Sequence, residues 1–465
     1  MGIDIGTTAV KAVAVDHQGT VLARSRVPHR LVTPEPDHLE HDATKAWRRG
    51  PLEALAEVTA SIPEPAGVCV ASMVPSLAAV GRRGMPMSPG LLYGDARGRP
   101  ETSQVALEGP ADVAGAMPDA VGFLQWAARQ YPEATGYWPA QAVANYALAR
   151  VPAIDTAMSM SLGDLMFAGQ WDLNRLAEAG VRMEQMPEVA PMASAAGTVS
   201  GTGTVIAPGT VDALCDQIVS GAEQVGDVLV ICGATLVVWA VIGEWIEVPG
   251  LWTVPHIVPD RIMVGGPSNA GALFVDWARR LLHEGFSRAP SAQRRSSVHG
   301  ADPDDVPPAR RGDPGRVPVW LPYVRGERAP FHDPTLRASV HDLDITHDAA
   351  AVERAAYEAS GFVVRAMLQR AGITARRIVA SGGGTRVLPW MQAMADATGL
   401  PVDTVAVHEG AAYGAAFLAR MAAGGETDLA AAGQWAKVGA RIEPDPTWAA
   451  AADERFARFA ALSPQ

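Results

Sequence analysis

The sequence is poor in cysteine, with three residues at 69, 215 and 232 and no CxxC pair. That excludes a disulfide framework, offers no zinc spacing and fits a reducing compartment. Positive charge is in deficit too. The net charge of -12 argues against nucleic acid or an anionic membrane as the main partner, while a local basic pocket for an anionic substrate stays open. Long apolar runs are lacking: the longest, 228–242, is broken by Gly233 and Thr235 and falls short of the ~20 residues a membrane span needs. The first residues lack the basic and apolar segments of a signal peptide, and Asp4 already interrupts them. Together these absences point to a cytoplasmic protein without a membrane partner.

What is present is an ordinary globular composition, 48% hydrophobic and 19% charged. A chain of 465 residues exceeds what one hydrophobic core supports, so two domains are expected. The opening stretch, Met1-Gly2-Ile3-Asp4-Ile5-Gly6-Thr7-Thr8-Ala9-Val10-Lys11, reads as two β-branched strands around a turn of Gly6, Thr7 and Thr8. Its bend offers backbone N–H groups, two hydroxyls and Lys11. Taken alone it is equally a structural hairpin or a phosphate cradle. Asp4 favours the cradle, because a carboxylate in a strand entering such a turn is awkward to bury and suited to reach Mg²⁺ through water.

Further along, a third strand at 20–27 completes a meander, and Asp42 is a helix cap for a segment through Trp47. The buried-strand pattern at 68–74 empties into Pro75-Ser76, where α/β folds place ligand contacts. Leu91-Leu92-Tyr93-Gly94-Asp95-Ala96-Arg97 is another strand, whose Asp95 and Arg97 read as a surface ion pair. Residues 112–200 read as mostly helical and alanine-rich. Asp216-Gln217 follows, with an N-cap as the plain reading of Asp216.

The run 226–235, Gly-Asp-Val-Leu-Val-Ile-Cys-Gly-Ala-Thr, repeats the N-terminal layout, which implies two similar α/β halves with a cleft between them. Gly265-Gly266-Pro267-Ser268-Asn269-Ala270-Gly271 then leads into an amphipathic helix. Residues 286–316 show no periodicity and read as an excursion. A helix from Asp348 to Gly372 carries a core stripe of Val352, Ala356, Ala359, Val363 and Met367. The triple glycine after the strand 378–381 lets backbone approach a ligand closely. The Ala- and Gly-lined helix 410–420 is expected to pack near that loop.

These motifs, in this order, resemble the FGGY carbohydrate kinases of the actin-like ATPase superfamily, most closely the xylulokinase branch. The resemblance spans nearly the whole chain. Its most specific pieces are Leu321-Pro322-Tyr323-Val324-Arg325-Gly326-Glu327-Arg328-Ala329-Pro330 and Ser381-Gly382-Gly383-Gly384-Thr385-Arg386, and the absence of GxxxxGK[ST] excludes a P-loop kinase. The resemblance implies an α/β fold of two actin-like, ribonuclease H-like domains, 1–226 binding sugar and carrying the first phosphate loop, 227–465 binding nucleotide. It implies ATP with Mg²⁺ and transfer of the γ-phosphate to a ketopentose such as xylulose, or a related sugar or polyol.

Residue by residue, the resemblance makes Asp216 the catalytic base, with Gln217 beside it, and Asp4 the Mg²⁺ residue. Thr7, Thr8 and Lys11 would meet the transferring phosphate. Gly233, Ala234 and Thr235 would form the second phosphate loop, where the family's usual Gly-Thr-Ser has its hydroxyl shifted. Gly271, Gly383 and Gly384 fall at the nucleotide, and Val74, Pro75 and Asp95 at the sugar. Xylulokinases usually carry Gln-Met-His-Gly where this chain has Met73-Val74-Pro75-Ser76, so a polyhydroxylated sugar would lose a partner at Pro75. The alternative is a catalytically silent sugar or nucleotide sensor on the same fold. The small-residue helices suit packing within one subunit or across a homodimer.

Overall fold

The computed structural model describes residues 1–35, 38–93, 95–98, 118–284 and 313–464. The β-branched N-terminus forms the expected meander: β1 (Gly2–Ile5), β2 (Ala9–Val15) and β3 (Val21–Pro28) pair antiparallel in turn. On the other side of β1, β4 (Gly67–Ser72) runs parallel to it, and β5 (Thr210–Val211) runs parallel to β4. Every residue of β1 and β4 is buried, which explains why β4 reads as a continuous apolar run rather than an alternating one and makes the buried Asp4 of β1 the exception.

The registers fix what leaves this sheet together. Ile5 lies opposite Ser72, and Ser72 opposite Val211. The next residues, Gly6, Met73 and Asp212, therefore emerge along one edge, the carboxyl ends of three parallel strands.

A second sheet repeats the plan. The strands β6 (Asp227–Cys232), β7 (Leu236–Ile242) and β8 (Ile262–Ser268) form a meander, β9 (Arg377–Ser381) lies parallel to β6, and β10 (Val402–Val405) parallel to β9. The expected duplication of an α/β half is thus visible strand by strand. Its core includes the helix Ala349–Arg370, which Asp348 caps by accepting from Ala351 N–H at 2.8 Å. Of the expected stripe, Ala356, Ala359, Val363 and Met367 are buried and Val352 packs against them. Phe362, Phe456 and Phe459 cluster with ring centroids 5.4 to 6.3 Å apart, each buried side chain of this size contributing about 1.5–3 kcal/mol.

The chain divides into two compact units, Met1–Gly221 with Glu409–Ala436, and Ala222–His408 with Lys437–Gln465. This differs from a simple division at 226. The helix Gly410–Ala422 belongs to the first unit, where glycines on both sides of the contact let it pack close to that unit's backbone. A Cβ on Gly414 would collide with the Cys215 backbone, one on Gly2 with the Ala412 carbonyl, and one on Gly67 with the Ala419 carbonyl. Close approach, not flexibility, is what these glycines supply.

Residues 118–200 are also less helical than expected. The helices Pro118–Gln130, Ala140–Ala149 and Leu173–Glu178 alternate with short strand pairs such as Ala153–Asp155 with Glu188–Ala190. Prolines and turn residues divide the alanine-rich stretches, and alanine alone sets no period. Residues 285–312, most of the expected excursion, and 112–117 lie outside the described residues. Among the described residues no helix is long and apolar enough to cross a membrane.

Candidate active site

The turn after β1 is closed by the Gly6 N–H, which donates to the Ala9 carbonyl at 3.1 Å. Thr7 and Thr8 sit at its tip. Thr8 is exposed, while Thr7 is buried with its hydroxyl 3.1 Å from that of Tyr93. One residue pair back from the turn, Asp4 lies opposite Lys11, and Lys11 Nζ is 3.7 Å from Asp4 Oδ2. Burial lifts the Asp4 carboxyl above its ordinary range, and Lys11 opposes the rise.

Asp212 enters the same neighbourhood. It begins the helix Asp212–Ile218 directly after β5, and its Oδ1 accepts from the Ala213 N–H at 2.7 Å. Burial first, and then the charge of Asp4, push its carboxyl up to about 7, with Ala213 and Lys11 pulling it down. Two carboxylates therefore share one lysine. From sequence the acid-amide pair Asp216-Gln217 stands out instead, one helical turn further on. Asp216 is 6% exposed, and its carboxylate fills the space a Cβ on residue 410 would need. Gln217 is buried, and its Nε2 has no hydrogen-bond partner among the described residues. The sequence held only a weak local hint of Asp212, its place directly after the two-residue strand Thr210–Val211, and what brings it to this edge is the strand register.

At the neighbouring strand end Val74 is half-buried and Pro75 buried. Asp95 departs from the expected surface pair, because it is fully buried. Its carboxylate accepts from the Leu39 N–H (2.6 Å), the Arg97 N–H (2.9 Å), Arg97 Nε (2.9 Å) and Arg97 Nη2 (2.7 Å). Arg97 also donates to Glu40 at 2.7 Å and lies over the Trp126 ring. Such saturation of both oxygens is what makes a buried ion pair tolerable. In this arrangement Asp95 anchors Arg97 and Leu39.

In the second unit the residues expected at the nucleotide converge at one edge. The turn Gly233-Ala234-Thr235 joins β6 to β7, and its Gly233 and Ala234 carbonyls accept from the N–H groups of Ala272 and Leu273 at 2.9 and 3.0 Å. Gly271 is required there, since a Cβ would collide with the Thr235 backbone. A Cβ on Gly384 would collide with Trp390 and crowd Cys232, whereas one on Gly383 would meet open space. Thr385 Oγ1 lies 2.8 Å from His408 Nδ1.

The motif 321–330 acts on this turn indirectly. Buried Glu327 accepts from Ser268 Oγ (2.8 Å), the Asn269 N–H (2.9 Å) and the Arg328 N–H (2.7 Å), and burial pushes it up to about 7. Asn269 Nδ2 donates to the Gly326 carbonyl at 3.0 Å. Glu327 thereby holds the chain just ahead of Gly271, a role its spacing in sequence does not announce.

No group of three or more His, Cys, Asp or Glu that could hold a metal ion by itself occurs among the described residues. The pair Asp4 and Asp212 still suits Mg²⁺, which binds through one or two carboxylates plus phosphate oxygens. Two mutually repelling carboxyls, Asp4 buried and Asp212 half-buried, with a single lysine leave room for further positive charge.

Comparison with known proteins also finds two parts, although the second match runs on through the helix Gly410–Ala422 that packs in the first unit. The N-terminal domain of the FGGY family of carbohydrate kinases matches residues 1–111, and its C-terminal domain matches residues 228–423. The chain is 24% identical over 459 residues to xylulose kinase of Escherichia coli (strain K12), covering 92% of this chain and 91% of that protein. It is equally 24% identical over 457 residues to gluconokinase of Bacillus licheniformis, covering 91% and 87%. The crystal structure of xylulose kinase from Rhodospirillum rubrum superposes with a TM-score of 0.75 at 26% identity, covering 99% of this chain and 97% of that one.

Proposed function

The chain belongs to the FGGY family of carbohydrate kinases, with its two-domain actin-like α/β fold, and from that premise we propose that it transfers the γ-phosphate of ATP to a hydroxyl of a ketopentose such as xylulose, or of a related sugar or polyol. The observation that carries this reading is the shared edge of Gly6, Met73 and Asp212, with Asp4 and Lys11 one pair behind the turn. Phosphoryl transfer asks the protein for positioning, charge neutralisation and a proton acceptor. That edge offers one group for each task.

Asp212 is the acceptor we favour. It is half-buried where Asp216 is enclosed, and a carboxyl held near 7 is matched to taking a hydroxyl proton at neutral pH. Asp216 and Gln217 then brace the helix that carries it. Lys11 and the Thr7-Thr8 turn orient the phosphoryl group. Asp4 would hold Mg²⁺, whose charge would neutralise phosphate oxygens, leaving Asp212 free to take the proton. Gly233, Ala234, Thr235, Gly271, Gly383 and Gly384 would admit the nucleotide through close backbone approach.

Relatives named xylulose kinase and gluconokinase are equally similar, so the acceptor rests on site chemistry. A pair of carboxylates sharing one lysine supports a neutral ketose or polyol over a sugar acid, whose own carboxylate would meet like charge. Val74 and Pro75 support an acceptor that does without a hydrogen bond at that wall.

ADP formation with Mg-ATP across ketopentoses, tetritols, glycerol, deoxy sugars and gluconate tests this. A neutral acceptor should give the highest kcat/KM, and preference for gluconate would overturn the substrate reading. Pro75 and Ala234 motivate a second reading, a silent sensor. Nucleotide binding with no acceptor-dependent ADP from any of these compounds would favour it.

A further inference from the structure

Behind the Thr7-Thr8 turn lies a buried imidazole that the sequence motifs do not mark. His41 is 1% exposed and Trp47 is 0% exposed. Trp47 Nε1 donates to His41 Nδ1 at 3.0 Å, and His41 Nε2 lies 2.8 Å from the Thr7 carbonyl. An indole nitrogen can only donate, so Nδ1 must be the acceptor and Nε2 must carry the hydrogen. The tautomer is fixed from one side and used on the other.

The local sequence builds this arrangement. The Asp42 carboxylate accepts from the Lys45 N–H at 3.0 Å and so starts the helical segment that returns Trp47 onto His41. Gly90 admits the indole, since a Cβ there would collide with its ring. His29 packs edge-on against His41 at 4.4 Å between ring centroids, and its backbone N–H donates to the Thr8 carbonyl at 3.0 Å. Both tip carbonyls of the turn are thus held, Thr7 by the His41 ring and Thr8 by the His29 backbone. In a planar trans peptide the C=O and the following N–H point in opposite directions. Pinning the Thr7 and Thr8 carbonyls therefore turns the N–H groups of Thr8 and Ala9 the other way.

We propose that His41 is a positioning residue for phosphoryl transfer: its Nε2–H, held in that tautomer by Trp47, sets the Thr7–Thr8 peptide so that the Thr8 N–H faces the transferring phosphoryl group. The claim rests on the kinase reading above for its purpose, and on the hydrogen-bond geometry alone for its structure. Burial, with His29 beside it, pushes the imidazole down to about 3, so the neutral tautomer persists across the working pH range.

The test pairs His41→Leu, which removes the donor, with His41→Gln, whose amide can still donate to the Thr7 carbonyl. Trp47→Phe keeps an aromatic ring and releases the tautomer. Amide hydrogen exchange of a peptide covering residues 4–10 should accelerate in His41→Leu and Trp47→Phe and stay near wild type in His41→Gln. With a working acceptor, kcat should fall about tenfold in His41→Leu, KM for the acceptor should hold, and Gln should restore most of the loss.

Unchanged exchange in both His41→Leu and Trp47→Phe, or equal behaviour of the Leu and Gln variants, would overturn the proposal. Should His41→Leu fail to fold, the Trp47→Phe exchange result decides alone. Exchange needs no substrate. A wild type without acceptor-dependent ADP release would therefore sink the kinase reading while leaving His41 to be judged on its own measurement.

Discussion

One residue pair back from its turn, the first hairpin holds Asp4 opposite Lys11, whereas the second holds Ile231 opposite Val237. The first turn adds side chains to its backbone bonds, with His41 on the Thr7 carbonyl and Tyr93 on the Thr7 hydroxyl. The second is fixed by backbone, with the start of the helix Ala272–Glu284 donating to its carbonyls and Glu327 holding the approach to Gly271. Two strand plans of the same order have thus been given opposite chemistry. The charged hairpin suits reacting atoms, and the apolar one suits a flat ligand held by close backbone contact.

The largest effect on nucleotide binding is expected in the backbone-built half. Gly271→Val drives a side chain into the Thr235 backbone and should weaken ATP binding by about a hundredfold in calorimetry. Gly383→Ala points into open space and should leave affinity within about twofold. Equal effects of the two would break the argument that shape rather than glycine content makes this loop.

In the charged half the expected signature is a pH profile. A base with its carboxyl near 7 works only when deprotonated, so kcat/KM should fall on the acid side of pH 7. Lys11 lowers that value, so Lys11→Met should move the acid limb to higher pH whatever it does to the maximal rate. Because Asp4 and Asp212 interact, the limb reports the pair. An acid limb that stays in place in Lys11→Met would contradict the coupling.

The same group predicts a stability change of opposite sense to its catalytic one. The Asp212 carboxyl is raised above its unfolded value, so its favourable contribution is complete below about pH 4 and is lost as pH rises through about 7. Asp212→Asn should therefore melt above wild type at pH 8, with the gap closing toward pH 4. A wider gap at acid pH would reverse the assigned sign. The smallest effect belongs to Ala234→Ser, which restores a hydroxyl to the second turn and should change KM for ATP by no more than about fivefold, the worth of one neutral hydrogen bond.

Much of this was legible in the sequence wherever a residue type constrained backbone. The first meander, strands near 68–72 and 378–381, the Asp348 cap and the Gly-bearing turns all follow from β-branched runs, capping and glycine, whereas strand direction and the strand Ile262–Ser268 of the second meander do not. The site was half legible. Asp4, Lys11, Thr7 and Thr8 share one hairpin, so their proximity is local. Asp212 could be placed only by knowing that β5 joins β4 in register with β1, a long-range fact. Asp95 misleads for the converse reason, since nothing nearby in sequence tells that Leu39 and Glu40 arrive to bury it. His41 and Glu327 act through hydrogen bonds to backbone far along the chain, which no spacing encodes.

The central claim is that the acid at the shared strand edge, Asp212, takes the acceptor's proton. The most direct test compares acceptor-dependent ADP release by Asp212→Asn and Asp216→Asn, with nucleotide affinity measured alongside. A loss of about a thousandfold or more in Asp212→Asn, with affinity for ATP kept and Asp216→Asn still turning over, is the expected result. Abolition by Asp216→Asn with turnover retained in Asp212→Asn would contradict it.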